Sequence, residues 1–435
     1  MIKLILNFFI LLLLISCSDK SVIISENRQK VFLDIGEMKI TEDAATETFD
    51  LGAEISNKGF THFGYNSSHS GDHLLGPKNK LVKIWSKDIG KGTNKNNLIM
   101  PNLIAQDTVI YVMDTRSRIM ALNLIDGSTI WENHLGDKNN SYSASPGGLA
   151  LIDDILYVQL GGLEVISLNA LTGSELWKET FDFPIISGPV ANSDGVFVTL
   201  IDGTLIHLES KNGKFIWQNK VENEIQEVMG TGALALNNNV VVAPRLGGDF
   251  TVLDIFDGSF LLEDNLALLS PKSAIEQISS INAHPSIVEN NIYAVAQNGR
   301  FISYNLLNGS LNWELEISSS QMPWVAGDSL FIISDDANLI CIRRQDGAIR
   351  WITKLPYLVE ENLLRFQKFI VHFGPIIASE KVYIVSSDNR LRILDAKNGS
   401  LIDEKKFSNG FSTPPIIINS TLFLINDDAK LYAFK

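Results

Sequence analysis

The sequence predicts an all-β fold: an eight-bladed β-propeller of four-stranded antiparallel blades, closed by an N-terminal strand that completes the C-terminal blade. Three observations predict it. A polar-Gly turn recurs along the chain, a Trp often follows that turn at a fixed interval, and the two ends supply complementary parts of one further unit. The turns are Asp126-Gly127, Thr172-Gly173, Asn212-Gly213, Asp257-Gly258, Asn308-Gly309, Asp346-Gly347 and Asn398-Gly399, spaced 38 to 52 residues apart. Asn-Gly and Asp-Gly are strong hairpin signals, because both central residues of the tight turn need positive φ. A period of this length built from short strands is that of a propeller blade.

Each unit reads as strands A to D. The A strand often opens on proline, as at Pro101, Pro189, Pro285, Pro323 and Pro375. Proline suits a strand's first residue, where no ladder donor is lost. A polar turn and an apolar B strand follow, such as Thr108 to Met113 or Ile292 to Ala296. The C strand alternates apolar and polar residues, as in Ile119-Met120-Ala121-Leu122-Asn123. Four residues after the turn glycine stands Trp131, Trp177, Trp217, Trp313 or Trp351, with Leu262 and Asp403 in that slot of the other two units. These rings and glycines read as inter-blade packing. No helical period separates the strands, which excludes a parallel α/β sheet. The one break is Tyr357 to Gln367, whose Leu358, Leu363, Leu364 and Phe366 suit a short helix or an ordered loop.

The ends settle the count. An A-B-C set runs from Pro415 through Leu422-Phe423-Leu424 to Leu431-Tyr432-Ala433-Phe434, and Leu81-Val82-Lys83-Ile84-Trp85-Ser86 is a Trp-bearing strand without a preceding hairpin. Joining the two makes the eighth blade and removes an unpaired edge.

Ahead of the ring, Met1-Ile2-Lys3 and the apolar run Leu4 to Ile15 read as a signal peptide, being shorter than the roughly 20 residues a spanning helix needs. The run ends in Leu14-Ile15-Ser16-Cys17, which resembles a bacterial lipobox and implies lipidation at Cys17. Ser18 stands where Asp would retain an enteric lipoprotein in the inner membrane, so the resemblance implies the periplasmic face of the outer membrane. The predicted organisation is residues 1–16 as signal peptide, 17–80 as lipidated N-terminus, tether and lead-in (partly ordered from Gly59 to Pro77), and 81–435 as propeller.

Composition narrows the chemistry. A formal charge of −14 argues against nucleic acid and anionic lipid surfaces. Two cysteines, one of them in the lipobox, leave Cys341 without an intrachain disulfide partner. Its place in a C strand suits a small packing residue. His69 and His73, with His62 nearby, have metal-like spacing only on a helix, and Ser70-Gly71-Asp72 between them points to a polar lead-in. Asp335-Asp336 and Asp427-Asp428 read as exposed turn residues. No nucleophile elbow, P-loop or dinucleotide fingerprint is present.

The unit Ala121-x-Asn123-x-x-Asp126-Gly127-x-x-x-Trp131 resembles the tryptophan-docking motif of pyrroloquinoline-quinone propellers; Ser167 to Trp177, Ser303 to Trp313 and Cys341 to Trp351 follow it less closely. Two groups share that motif, the quinoprotein dehydrogenases and the outer-membrane assembly lipoproteins of the BamB family. The lipobox, the chain length and the segments Phe63 to Asn66, Ile278 to Pro285 and Met322 to Asp328 resemble BamB members of the α-proteobacterial type. That resemblance implies a non-catalytic scaffold without a cofactor. It would bind a periplasmic POTRA domain of BamA alongside other barrel-assembly subunits, with nascent outer-membrane proteins as a further partner class and a lipid anchor as the sole membrane contact. The family's contact loops map here onto Val228, Met229 and Gly230 and onto Ser280 and Asn282. Met229 replaces an Arg of the family pattern, and Ser280 and Asn282 replace two acids, so salt bridges made there by relatives are not available.

Two other readings remain: a quinone-dependent dehydrogenase-like propeller, and a generic envelope protein-binding or sensor propeller. The first needs Ca²⁺ held by hard oxygen ligands and, by family pattern, an adjacent Cys-Cys pair that this sequence lacks. Titrating the purified protein with pyrroloquinoline quinone and Ca²⁺ is expected to give no stoichiometric binding; a one-to-one endpoint would reinstate the dehydrogenase reading.

Overall fold

Short runs rich in Val, Ile and Leu form strands where both faces can be covered, and this chain grades that burial within most repeats. In the first blade the B strand Val109–Met113 and C strand Arg118–Asn123 are buried along most of their length, while in the D strand Thr129–His134 exposed residues alternate with half-buried ones. A radial sheet imposes this gradient: inner strands lie between neighbouring blades and the outermost meets solvent. The structure is a computed structural model that describes residues 38–94, 99–136, 147–220, 232–268, 280–359 and 368–435. The described strands form eight antiparallel sheets, and all but one are four-stranded. The exception is blade 1, where Gly59–Phe60 adds a fifth strand against the A strand Ile104–Gln106.

Closure is as the sequence predicts. Lys83–Asp88 pairs antiparallel with Lys430–Phe434, setting Trp85 opposite Ala433. Val82 and Lys435 exchange both backbone hydrogen bonds, at 2.9 and 3.0 Å.

The blades meet through one repeated contact. Each D-strand Trp lies flat against the turn glycine of the following blade. A methyl group added at Gly127 would fall 2.8 Å from the Trp85 ring, and the distance is 2.6 Å for Gly173 on Trp131 and for Gly258 on Trp217. Gly213 on Trp177, Gly347 on Trp313 and Gly399 on Trp351 repeat the arrangement. Glycine is required twice over, by the ring and by φ values such as +71° at Gly127. In five seams the indole N–H donates to the carbonyl three residues before that glycine: Trp85 to Leu124, Trp131 to Ala170, Trp177 to Ser210, Trp217 to Ile255 and Trp313 to Arg344, at 2.8 to 3.2 Å. The Trp351 indole N–H has no partner among the described residues. Asp403 fills the slot facing blade 8, whose C and D strands come from opposite chain ends and share no hairpin glycine for a ring to cover.

The lead-in departs from the sequence reading, which orders only Gly59 to Pro77 and treats it as polar. The chain packs from Met38 onward. Helix α1 (Glu42–Thr46) lies on the D strand Ile349–Lys354 of blade 6. Thr41 N–H donates to the Ile349 carbonyl at 3.0 Å, and Arg343 pairs with Asp43 and Glu47 at 2.9 Å. Arg350 reaches Glu47 at 3.2 Å and stacks over Phe49 at 4.3 Å. The segment then crosses the innermost strands of every blade. Gly59–Phe60 pairs with blade 1, and the Thr61 carbonyl accepts from Leu151 of blade 2. His62 Nε2 accepts from Ala191 of blade 3 at 3.1 Å, Ser67 accepts from Leu236 of blade 4, and Ser68 from Ile287 of blade 5. Trp324 of blade 6 donates to the Asp72 carbonyl, Leu74 bonds to Ile377 and Ser379 of blade 7, and Asn57 Nδ2 donates to Ile417 of blade 8 at 2.7 Å.

That path buries imidazoles as hydrogen-bond acceptors. His62 Nε2 takes the Ala191 N–H, His73 Nε2 the Glu380 N–H at 3.0 Å, and His284 Nδ1 the Ala233 N–H at 2.8 Å, so a proton on any of these nitrogens would face a donor. Desolvation lowers His62 from its ordinary 6.5 to about 3 and His69 to about 4, and pushes His284 down as well. His207, stacked on Phe197 at 4.0 Å, and His372 are lowered to about 4, first by burial.

Two outcomes follow from these contacts. A histidine whose folded pKa lies below its unfolded value contributes stability in full above about pH 6.5, and that contribution is lost as pH falls toward the folded value, at roughly 1.4 kcal/mol per pH unit per group. The urea midpoint is therefore expected to fall between pH 7.5 and pH 5; an unchanged midpoint would mean that these imidazoles titrate normally in the folded ring. Trp217→Ala, which empties the seam between blades 3 and 4, is expected to cost roughly 3–5 kcal/mol by the same measurement.

Candidate partner-binding face

Strand direction alternates within a blade, so A–B and C–D turns gather at one end of the ring, and B–C turns with D–A connections at the other. Both predicted contact segments are D–A connections. Val228, Met229 and Gly230 lie between the D strand Phe215–Asn219 and the A strand Ala235–Leu236, and fall outside the described residues, as do Cys17 and residues 1–16. Ser280 and Asn282 lead into the A strand Ser286–Val288 of blade 5.

The roots of the two segments are joined. Gly232 N–H donates to the Ile281 carbonyl at 2.9 Å, and Ala233 N–H donates to His284. A methyl at Gly232 would sit 2.2 Å from the Ala283 carbonyl, so this close approach needs glycine. His284 is clamped in turn, with Phe63 of the lead-in stacked on it at 4.0 Å and His69 edge-on at 5.3 Å. Ser280 pairs with Gln297 of the blade 5 B–C turn, and Asn282 Nδ2 donates to Gln297 Oε1 at 2.9 Å. Ile281 between them is buried. Ser280 and Asn282 are half-buried, and the Asn282 Nδ2 is spent on Gln297, so this pair fixes the root of the connection more than it presents side chains outward.

Sequence reasoning missed the apolar residues of the same end. Leu163, Phe183, Phe369 and Val371 are about two-fifths exposed or more. Leu358 and Phe369 bridge antiparallel, Tyr357 packs on Phe369 at 5.1 Å, and Lys354 stands over the Tyr357 ring at 5.6 Å. The segment expected as a helix or loop from Tyr357 therefore starts as a paired foot, and its 360–367 part lies outside the described residues. Spacing alone did not reveal that foot, because Leu358 and Phe369 are far apart along the chain and no repeat pattern links them. Asp427, read as an exposed turn residue, is half-buried, and desolvation raises its carboxyl.

The face offers contact surface. Among the described residues no three His, Cys, Asp or Glu side chains are grouped to hold a metal ion. The Cys341 thiol is buried opposite Trp351, and desolvation pushes it up to about 12, which keeps it protonated.

Comparison with known proteins agrees with this architecture. A curated relative from Yersinia pestis, named outer membrane protein assembly factor BamB, is 21% identical over 250 residues, 57% of this chain and 61% of the relative. The chain thus aligns with about three fifths of that relative's length. The solved BamB structure from Moraxella catarrhalis superposes with a TM-score of 0.68 at 17% identity, covering 82% of this chain and 100% of that one. The quinohemoprotein alcohol dehydrogenase of Comamonas testosteroni gives 0.66 at 12% identity, covering 87% and 81%; at such identities both likenesses show the fold alone. The model of the family described as outer membrane protein assembly factor BamB matches residues 115–353, more than half of the sequence, and the chain belongs to that family.

Proposed function

We propose that this protein is a non-catalytic scaffold of outer-membrane β-barrel assembly. In this reading residues 1–16 are removed on export and Cys17 carries the lipid. The lipidated N-terminus and lead-in reach to residue 80, and the propeller of residues 81–435 stands at the periplasmic face of the outer membrane. The D–A end of blades 4 and 5 docks a POTRA domain of a BamA-type subunit, with other assembly subunits and nascent barrel chains as further partners. Family membership supports the process, and the observation that carries the surface is the Gly232–Ile281 hydrogen bond, which ties both predicted contact segments to one rim. Among the described residues no helix is long and apolar enough to cross a membrane, which is compatible with anchoring through a lipid.

The test is co-purification from detergent-solubilised envelope. Recovery of BamA with the wild-type chain is expected, and Met229→Asp is expected to weaken the complex roughly tenfold, about 1.4 kcal/mol, with the ring intact by circular dichroism. Repeated recovery of other envelope proteins without BamA would favour the generic scaffold or sensor. Undiminished affinity in Met229→Asp would remove that loop from the interface.

A further inference from the structure

We propose that the seam between blades 4 and 5 is a binding site for a tryptophan side chain presented by another polypeptide. The other seams define the chemistry. In six of them an indole ring covers a turn glycine, and in five its N–H reaches the carbonyl three residues earlier. At the blade 4–5 seam the slot holds Leu262, which is too short to cover the platform. Gly309 is exposed, whereas the six equivalent glycines are buried. A methyl group built on Gly309 meets nothing within 4 Å. Its φ of +65° matches the +70° to +76° of Gly258 and Gly347, so the turn is the same turn without its cover. Among the described residues no side chain donates to the Leu306 carbonyl, the acceptor that corresponds to Leu124 or Ile255. Leu307, 76% exposed, stands on the same turn.

The seam does not depend on a ring at this position. Tyr304 donates its hydroxyl to the Asp264 carboxylate at 2.8 Å and packs on Phe250 at 5.9 Å. Arg300 pairs with Glu314 and donates to the Asn265 carbonyl at 2.7 Å. These contacts tie the two blades at Asp264 and Asn265, further along the same D strand, and leave the platform at Gly309 free for a ligand.

The occupant cannot come from this chain. It has seven tryptophans. Six fill seams, and the seventh, Trp324, is buried against Phe60 and Tyr65 with its indole N–H on the Asp72 carbonyl. A second folded copy has none to spare either. The ring must therefore come from a different protein, from a segment able to present an indole at a blade edge. The notch lies at the C–D end of blades 4 and 5, opposite the end that carries Ser280 and Asn282, so it is independent of the face proposed above.

The experiment uses the mature chain and the blocked tripeptides Ala-Trp-Ala and Ala-Leu-Ala, read by saturation-transfer NMR on the peptide. Transfer to the indole protons is expected with wild type and with Leu262→Ala, and transfer to the leucine peptide is expected to be several-fold weaker. Leu262→Trp refills the slot from within. It should abolish the indole signal and raise the unfolding midpoint. Gly309→Asn tolerates the positive φ but covers the platform with its own side chain, and should abolish the signal independently. Absence of indole transfer in wild type, or undiminished transfer in a folded Leu262→Trp or Gly309→Asn variant, overturns the proposal.

Discussion

An indole laid on a glycine is the contact on which the ring depends. A propeller blade is a small twisted sheet with two apolar faces, and alone it would expose both. Stacking blades buries them, but sheet packing is tolerant of sliding, and a closed ring is not. The Trp–Gly pair removes that tolerance. The ring sits against a backbone with no Cβ, and the N–H ties it to a fixed carbonyl, as in Trp217 on Gly258 with Ile255 accepting. Large aromatic area and one directed hydrogen bond act at the same point in five seams, which makes those five both strong and registered. The same logic explains why Asp403 is tolerated: with no hairpin glycine in the next blade, an indole there would have nothing to register against.

The lead-in adds a second, perpendicular set of bonds. Neighbour contacts hold blades in pairs, whereas residues 57–74 touch the innermost strands of all eight. Loosening one blade therefore strains bonds in the others through a shared segment. The coupling runs through acceptor imidazoles, because His62, His73 and His284 each satisfy a backbone N–H of the ring. Unpaired, those amides would be costly at such depth.

What could be read in advance follows from how far each signal travels along the chain. Asp126-Gly127 and Trp131 lie within one hairpin, so turn, register and packing slot appear in a handful of adjacent letters. The closing strand was legible because Trp85 announces a D strand lacking its hairpin. The lead-in was not legible. His62 meets Ala191, 129 residues away, through a backbone group that any residue would supply. A string of His, Ser, Asn and Gly looks solvated when its partners are main-chain amides. Likewise Ser280 and Asn282 were found by likeness to a family loop, but their half-buried state depends on Gln297, which no local pattern singles out. Leu262 was visible as an exception to the Trp pattern; only the exposed glycine beside it gave that exception a meaning.

The clamp on blade 6 has a mechanical consequence. Before the chain reaches the interior it is gripped by Arg343 and Arg350 through Asp43, Glu47 and Phe49. Traction arriving along the preceding residues is thus borne at the rim, by charged contacts that can break and re-form. The hydrogen bonds deeper in are shielded from the pull, much as a cable gland spares the solder joint behind it.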